Sequence, residues 1–425
     1  MQAGAQDSAV RARTGGTIDR KSSAPMNRRA TEKTPLPPCL VLGADANESL
    51  PVIKSLTQQG VCVTAAAPRR LSVGLFSRYP KSKLVYPDPD VRPDAFLDWL
   101  EHRVAGGGFP VTLVCGEQIT ALLAQHRQRF DKVTTIPVVA EETFSICRNK
   151  ANTVRAAQQL GIETPKTWFP DDVGIETVAP DIDQWPVVVK PAISNGARGI
   201  RFSHNQNELR HHYYTTREAF GEVIVQQFIP PGGAQYKAEL LLDREGKLLA
   251  AGVYDKPRFY PPKAGSSTLN STVERPDLIA CSQQLLNGIN WFGMGDCEFI
   301  EDPRDGRALL MEVNPRFTRS IKILVEAGID FPWLLYRMAL GLPVEPQFDY
   351  KKGLYMRYLL SDCMWFIRSP DRFRSRPSFF WFFGRNLCGE IFSWSDPAPA
   401  FAHTIGKSMK LFDKRKRQFI LRMDS

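Results

Sequence analysis

Residues Gly293 to Arg316, GMGDCEFIEDPRDGRALLMEVNPR, read as two apolar strands around a turn signal, Pro303-Arg304-Asp305-Gly306. Each strand carries an acid inside a buried-looking run, Glu298 in the first and Glu312 in the second. Both are equidistant from Asp305, so a symmetric hairpin sets them directly opposite each other. Alternation then puts Asn314 on the face of Glu312. Two facing carboxylates repel unless something positive lies between them. One reading is a divalent cation held by oxygen ligands, which for Mg²⁺ means one or two carboxylates plus phosphate oxygens. The other is a pair of solvated acids on the outer face of an edge hairpin.

The rest of the 425 residues bears on that choice. With 43% hydrophobic and 24% charged residues the chain has an ordinary globular composition, and its length suggests two or three domains. The net charge of +10 sits at the ends. Residues 1–36 hold seven Lys/Arg against three Asp/Glu, and residues 351–425 hold fifteen against six. The body between is near neutral, which argues against a nucleic-acid-binding core. The eight cysteines are scattered without a C-x-x-C pair, a pattern of reduced thiols rather than disulfides or a zinc site. Without an apolar leader or a run long enough to span a bilayer, the expected location is cytoplasmic.

Residues 1–36 lack periodicity and read as a disordered tail, or as sequence upstream of a start at Met26. An organellar transit peptide is a further reading, against which Asp7 and Asp19 count. From Cys39 the pattern is α/β. Cys39-Leu40-Val41-Leu42, Val61–Ala66 and Val111–Cys115 are buried strands, with helices over Asn47–Gly60 and about Gln118–Phe130. The turn Gly43-Ala44-Asp45-Ala46-Asn47 is not G-x-G-x-x-G, so 37–144 reads as a Rossmann-like scaffold without its own cofactor.

A linker helix over Ser145–Leu160 follows, with Lys150 near its start, where helix N–H groups favour anions. Then comes a strand ending in Lys190, a loop Ser194-Asn195-Gly196-Ala197-Arg198-Gly199, and a return strand Ile200-Arg201-Phe202. Such a loop either folds its N–H groups over phosphates or is a plain hairpin tip. A buried strand, Gly221–Ile229, halts at Pro230-Pro231-Gly232-Gly233, where free backbone groups suit the edge of a planar base. Tyr236–Ala251 is a second hairpin, Lys256-Pro257-Arg258 to Ser267 a basic, turn-rich loop, and 275–290 a helix.

In this order the parts resemble the ATP-grasp superfamily of carboxylate–amine and carboxylate–thiol ligases, over roughly 39–345. The resemblance rests on V-V-V-K-P before a glycine loop, V-Q-Q-F-I-P, G-D-C-E-F-I and M-E-V-N-P-R. It implies a Rossmann-like preceding domain and a two-lobed α+β ATP-grasp domain over 145–345, with a small lid lobe near 165–230. It implies ATP and Mg²⁺, or Mn²⁺, as cofactors. Lys150 and Lys190 would meet the phosphates, and the loop with Ser194, Gly196 and Gly199 would cover them. Gln226, with the backbone of Gln227, Phe228 and Ile229, would hold the adenine. Glu298, Glu312 and Asn314 would hold the metal. Arg316 would meet the transferred phosphoryl group, with Lys256 and Arg258 as further candidate catalytic residues. Gln235 stands near the place of an acid that often binds ribose, and Arg319 after N-P-R-F hints at an anionic substrate or a structural ion pair.

The implied activity is an ADP-forming ligation of a carboxylate and an amine, both small molecules, by an enzyme expected to be a homo-oligomer. A non-catalytic nucleotide sensor and a bicarbonate-dependent carboxylase or carbamoyl-phosphate-type enzyme are the alternatives. Residues 346–425 read as a helical, basic and aromatic extension, with Phe379-Phe380-Trp381-Phe382-Phe383 and the run Lys414–Arg417. Its aromatics either pack on the core or attach the protein peripherally to an anionic membrane or a partner.

Overall fold

The computed structural model describes residues 35–194, 198–261 and 265–411. The tail before them, Gly196 of the glycine loop, Lys263 and the Lys414–Arg417 run lie outside the described residues. Four short strands, β1 Cys39–Leu42, β2 Val63–Ala67, β3 Ser82–Val85 and β4 Val111–Val114, form a parallel sheet in the order β3-β2-β1-β4. β1, β2 and β4 are buried along their whole length, as strands covered on both faces must be. β3, Ser-Lys-Leu-Val, is a mostly exposed edge, so no apolar run announces it. Gly43 ends β1 at φ +75°, where a Cβ would meet the Cys115 carbonyl oxygen at 1.9 Å. Its N–H donates to the Tyr86 hydroxyl at 3.2 Å. The glycine lets β1 and β4 end side by side, and its own amide is taken by Tyr86.

The expected linker helix over 145–160 is two helices, Glu141–Arg148 and Lys150–Gln159. Asn149 breaks them apart: its backbone is extended, and its side chain accepts from the N–H groups of Ala151 and Asn152. The Lys150 N–H donates to the Ala192 carbonyl at 2.8 Å. The first amides of the helix are therefore satisfied by the chain, and any anion contact here falls to the Lys150 side chain.

A second, antiparallel sheet holds β5 Thr167–Trp168, β6 Val187–Pro191, β7 Arg201–Ser203 and β8 Val223–Gln227, in the order β5-β8-β6-β7. Val187, Val189, Val223 and Val225 pack with Leu209 and Tyr213 of the helix Gln206–Phe220. Each such buried side chain contributes roughly 1.5–3 kcal/mol to that packing. Alternation puts Val188, Lys190 and Gln226 on the opposite face, with Val188 and Gln226 paired across the strands.

The third sheet has seven strands: β9 Gln235–Leu242, β10 Leu248–Tyr260, β11 Ser266–Val273, β12 Gly293–Glu301, β13 Ala308–Asn314, β14 Tyr355–Arg357 and β15 Leu387–Gly389. Their order is β13-β12-β9-β10-β11-β14-β15. Two expectations change here. Lys256-Pro257-Arg258 is part of β10 rather than of a loop, and the pairing with β11 shifts between Asp255 and Arg258, because Pro257 donates no hydrogen bond. The C-terminal segment holds the helices Leu359–Arg368 and Ala398–Leu411, but it also gives β14 and β15 to the sheet. Three-residue strands carry too little periodicity to be read ahead of their pairing. Among the described residues no helix is long and apolar enough to cross a membrane.

Candidate functional site

A cavity of about 410 Å³ opens between the Lys190 face of the second sheet and the β9, β12 and β13 part of the third. Its apolar lining includes Val188, Ile200, Phe202, Phe228, Ile300 and Met311, and the Phe202 and Phe228 rings meet edge to face at 5.7 Å. The lining as a whole gathers most of the residues expected from sequence: Lys150, Lys190, Ser194, Gln226, Gln227, Phe228, Ile229, Lys256, Glu298, Glu312, Asn314 and Arg316. Gly199 is not in the wall. It stands at φ +79°, where a Cβ would press on Pro191 and the Phe220 ring at 2.8 and 2.9 Å.

Lys150 is largely buried, with its Nζ 2.8 Å from the Ser194 carbonyl and 3.1 Å from Glu312 Oε2. Lys190 Nζ donates to Gln226 Oε1 at 2.6 Å, and Gln226 Nε2 donates to Thr167 Oγ1 at 2.8 Å. Burial pulls the Lys190 pKa down to about 8, helped by the Lys150 charge and opposed by Glu312. A bound polyanion would reverse that penalty. The Gln227 N–H donates to the Lys166 carbonyl at 2.8 Å, so any contact of the Gln227 backbone with a ring would use its carbonyl.

Glu298 pairs with Glu312 and Asp296 with Asn314 as expected, but the hairpin is not symmetric throughout: the pairing shifts between Glu298 and Phe299, which faces Leu310. The sequence does not show what stands on the other side. β9 sets Lys237 opposite Glu298 and Glu239 opposite Asp296. Lys237 Nζ lies 2.7 Å from Asp296 and 2.5 Å from Glu298, and Lys256 makes a short bond to the other Glu298 oxygen. Asn314 Nδ2 donates to Asp296 at 2.8 Å and to Glu298 at 2.9 Å. Burial opposes the Glu298 charge, but Lys237 and Lys256 outweigh it and hold the carboxyl well below its usual range. Burial also opposes the Lys237 charge, and Asp296 and Glu298 outweigh it in turn. Glu239, fully buried beside Asp296, is pushed up to about 8 although Lys237, Thr318 and Tyr254 favour its charge. Lys237 and Glu239 were discoverable only through the long-range pairing of β9 with β12. Along the chain they are two polar residues in a strand.

Three expected residues acquire different surroundings. Arg258 is buried away from the cavity, pairs with Asp362 at 2.8 Å, donates to the Pro377 carbonyl and lies 4.7 Å from the Trp365 ring centre. The pairing shift around Pro257 turns it from Lys256, so the side chain expected to be catalytic is not in the cavity wall and is engaged by Asp362, Pro377 and Trp365 instead. Arg319 lines the cavity but pairs with Glu390 at 3.1 Å and stacks on Tyr358 at 5.0 Å. Arg316 lies 3.2 Å from Glu117 at the start of the helix after β4. Burial opposes its charge, while Glu48 and Glu117 outweigh that and raise its pKa.

Among the described residues no three His, Cys, Asp or Glu side chains are gathered as a ready metal site, but the oxygen donors are of the kind a hard divalent ion takes. Glu298, Glu312 and Asn314 offer carboxylate and amide oxygens on one face, and Asp296 Oδ1 and Glu239 Oε2 are buried beside them without a hydrogen-bond partner. Lysines 150, 190, 237 and 256 add four positive charges to the cavity wall, which suits a polyphosphate.

Residues 149–346 match the family model of the carbamoyl-phosphate synthase L chain, ATP binding domain. The C-terminal section of the carbamoyl phosphate synthase large chain of Methanopyrus kandleri is 24% identical over 208 residues, 45% of this chain and 37% of that protein. The chain thus spans little more than a third of this relative. The biotin carboxylase domain dimer of Hydrogenobacter thermophilus 2-oxoglutarate carboxylase, solved with MgADP, ADP and bicarbonate, superposes with a TM-score of 0.62 and 17% identity. That overlap covers 75% of this chain and 73% of the other. The L-amino acid ligase of Bacillus licheniformis gives a TM-score of 0.54 and 18% identity, over 74% and 76% of the two chains.

Proposed function

From the premise that this chain carries an ATP-grasp fold, we propose that it is an ATP- and Mg²⁺-dependent, ADP-forming ligase that joins a carboxylate to an amine. One observation carries the reading: Glu298 and Glu312 face each other in the same cavity wall as Lys150 and Lys190. In this reading residues 37–144 are a Rossmann-like scaffold and 145–345 the nucleotide domain, with its lid lobe near 165–230.

When bound, Mg-ATP supplies a phosphoryl group that turns a poorly electrophilic carboxylate into an acyl phosphate open to an amine. Lys150 and Lys190 hold the phosphates, and Glu298, Glu312 and Asn314 hold the ion. Phosphoryl transfer is mostly positioning and charge neutralisation, which such a set provides. The apolar wall with Phe202 and Phe228 takes the base, with Gln226 and the backbone of Gln227 and Ile229 at its edge. Arg316 faces the group being transferred, and Lys256 fixes Glu298. Ser194 and the loop after it keep water from the activated carboxylate. The small-molecule substrates enter beside Arg316 and Arg319, and the working form is a homo-oligomer.

The test is nucleotide product analysis with Mg-ATP, pooled carboxylates and hydroxylamine in place of the amine, wild type beside Glu312→Ala. ADP and a hydroxamate that depend on the pool and vanish in the variant support the ligase. AMP and pyrophosphate overturn phosphoryl transfer. Turnover that needs bicarbonate instead moves the protein to the carboxylases, and ATP binding without product in any pool favours a sensor.

A further inference from the structure

Among the described residues, eleven of the twenty-one exposed large hydrophobic side chains lie between Leu359 and Ile405, which concentrates them on the C-terminal segment. Several form one patch. Phe366 touches Phe373 at 5.4 Å, Phe379 at 4.2 Å and Phe380 at 5.5 Å between ring centres, and Phe379 touches Phe382 at 5.6 Å. Phe379 is buried and anchors the group, whereas Phe373 is 72% exposed, Phe380 60% and the neighbouring Phe383 80%. Ile367, beside Phe366 on the same helix, is 62% exposed. A contiguous apolar patch of this kind marks a docking face.

The charges around it are one-sided. Residues 363–389 contain five arginines, 368, 372, 374, 376 and 385, and one acid, Asp371. Arg368, Arg374, Arg376 and Arg385 are exposed, and none pairs with an acid among the described residues. A second copy is a poor occupant. A two-fold contact would bring the patch against itself and set five arginines against five. Exposed aromatics interleaved with arginines suit the headgroup level of a bilayer, where the rings insert and the guanidiniums meet anionic lipid. We propose that this face docks the protein peripherally on an anionic membrane surface. Nothing in the proposal depends on the nucleotide site.

The segment is well seated for that load. The helix that shows Ile367 outward buries Asp362 and Trp365 against Arg258 of β10. Arg357 of β14 also binds Asp362 at 2.6 Å, and its guanidinium lies under the Phe379 and Phe382 rings.

The test is co-sedimentation of the full chain with vesicles of phosphatidylcholine alone and with about 30% phosphatidylglycerol, with the mass in solution followed by light scattering. The wild type should pellet with the anionic vesicles only, and salt should weaken the binding. Phe380→Ser/Phe383→Ser and Arg374→Glu/Arg376→Glu should each weaken it by about tenfold or more, while the thermal transition stays in place. The proposal is overturned if the wild type ignores the anionic vesicles, if neither folded variant changes the binding, or if the variants instead abolish a dimer seen without lipid.

Discussion

Lys237 on β9 lies directly across from Glu298 on β12, and its ammonium bridges Glu298 and Asp296 at 2.5 and 2.7 Å. The positive charge that two facing acids demand is thus supplied in part by the protein itself. Removing it leaves Asp296, Glu298 and Glu239 crowded and buried without their main counter-charge. Lys237→Met should therefore destabilise the fold by about 3–5 kcal/mol, read as a drop in the urea midpoint. Added Mg-ATP should recover part of the loss, because the same carboxylates gain a cation. A midpoint within experimental error of the wild type would show that the three acids sit protonated.

Glu312 has a different balance. It is half-buried, and among the described residues its ion-pair partner is the largely buried Lys150, which keeps its bond to the Ser194 carbonyl when Glu312 is lost. Glu312→Gln should fold normally and bind the base of ATP, yet lose turnover on the order of 10²–10³-fold. Its requirement for Mg²⁺ should shift to higher concentration. A turnover series over Mg²⁺ and Mn²⁺ checks this, and an unchanged metal dependence would remove Glu312 from the ion.

Lys190 makes the site sensitive to alkaline pH. Its folded pKa of about 8 lies below the ordinary 10.5, so between those values the unfolded chain holds more protons. This group's share of stability accordingly rises with pH across that window. Binding runs the other way. A polyphosphate favours the ammonium, so ATP affinity should fall as pH rises through about 8, and binding there should take up a proton. Calorimetry at pH 8 in buffers of different ionisation enthalpy measures that proton. Lys190→Met should bind weakly and take up none.

Lys256 and Arg258 are two residues apart and separate two kinds of effect. Arg258 is spent on Asp362, the Pro377 carbonyl and Trp365. Arg258→Met should cost about 3 kcal/mol of stability and leave KM for ATP unchanged in the folded fraction. Lys256→Met, which frees one oxygen of Glu298, should lower turnover more than stability. Parallel melting curves and initial rates decide it, and a rate loss for Arg258→Met larger than its stability loss would restore that residue to the site.

What the sequence made legible is what short range determines. The facing of Glu298 and Glu312 is read from their equal distance to the turn, although the register shift after Glu298 also enters it, and the Lys190–Gln226 face follows from alternation within β6 and β8. What it hid depends on partners far along the chain. Lys237 matters because β9 pairs with β12, Arg258 is withdrawn because Asp362 lies 104 residues later, and Arg319 is engaged because Glu390 reaches it. The break at Asn149 is not read ahead: its side chain caps the second helix and also donates to Glu222, 73 residues later, at 2.6 Å.

Arg316 poses the last test, because it is held by the parallel-sheet part while facing the cavity. Its guanidinium lies 3.2 Å from Glu117, with Glu48 adding to the field. A substrate carboxylate or phosphoryl oxygen reaching Arg316 must compete with Glu117 for the same donors. Glu117→Gln removes the competitor's charge and should lower KM for the anionic substrate by about two- to tenfold, the equivalent of about 1 kcal/mol. Arg316→Ala should instead lower kcat/KM by roughly 10²-fold or more, as loss of a charged contact strengthened in the transition state does. A strut between the hairpin and the parallel sheet behaves otherwise. Both variants would then lose similar thermal stability and keep kcat/KM, since each breaks the same pair. A lower KM in Glu117→Gln together with a lower kcat/KM in Arg316→Ala is what a contact with the anionic substrate produces and a strut does not.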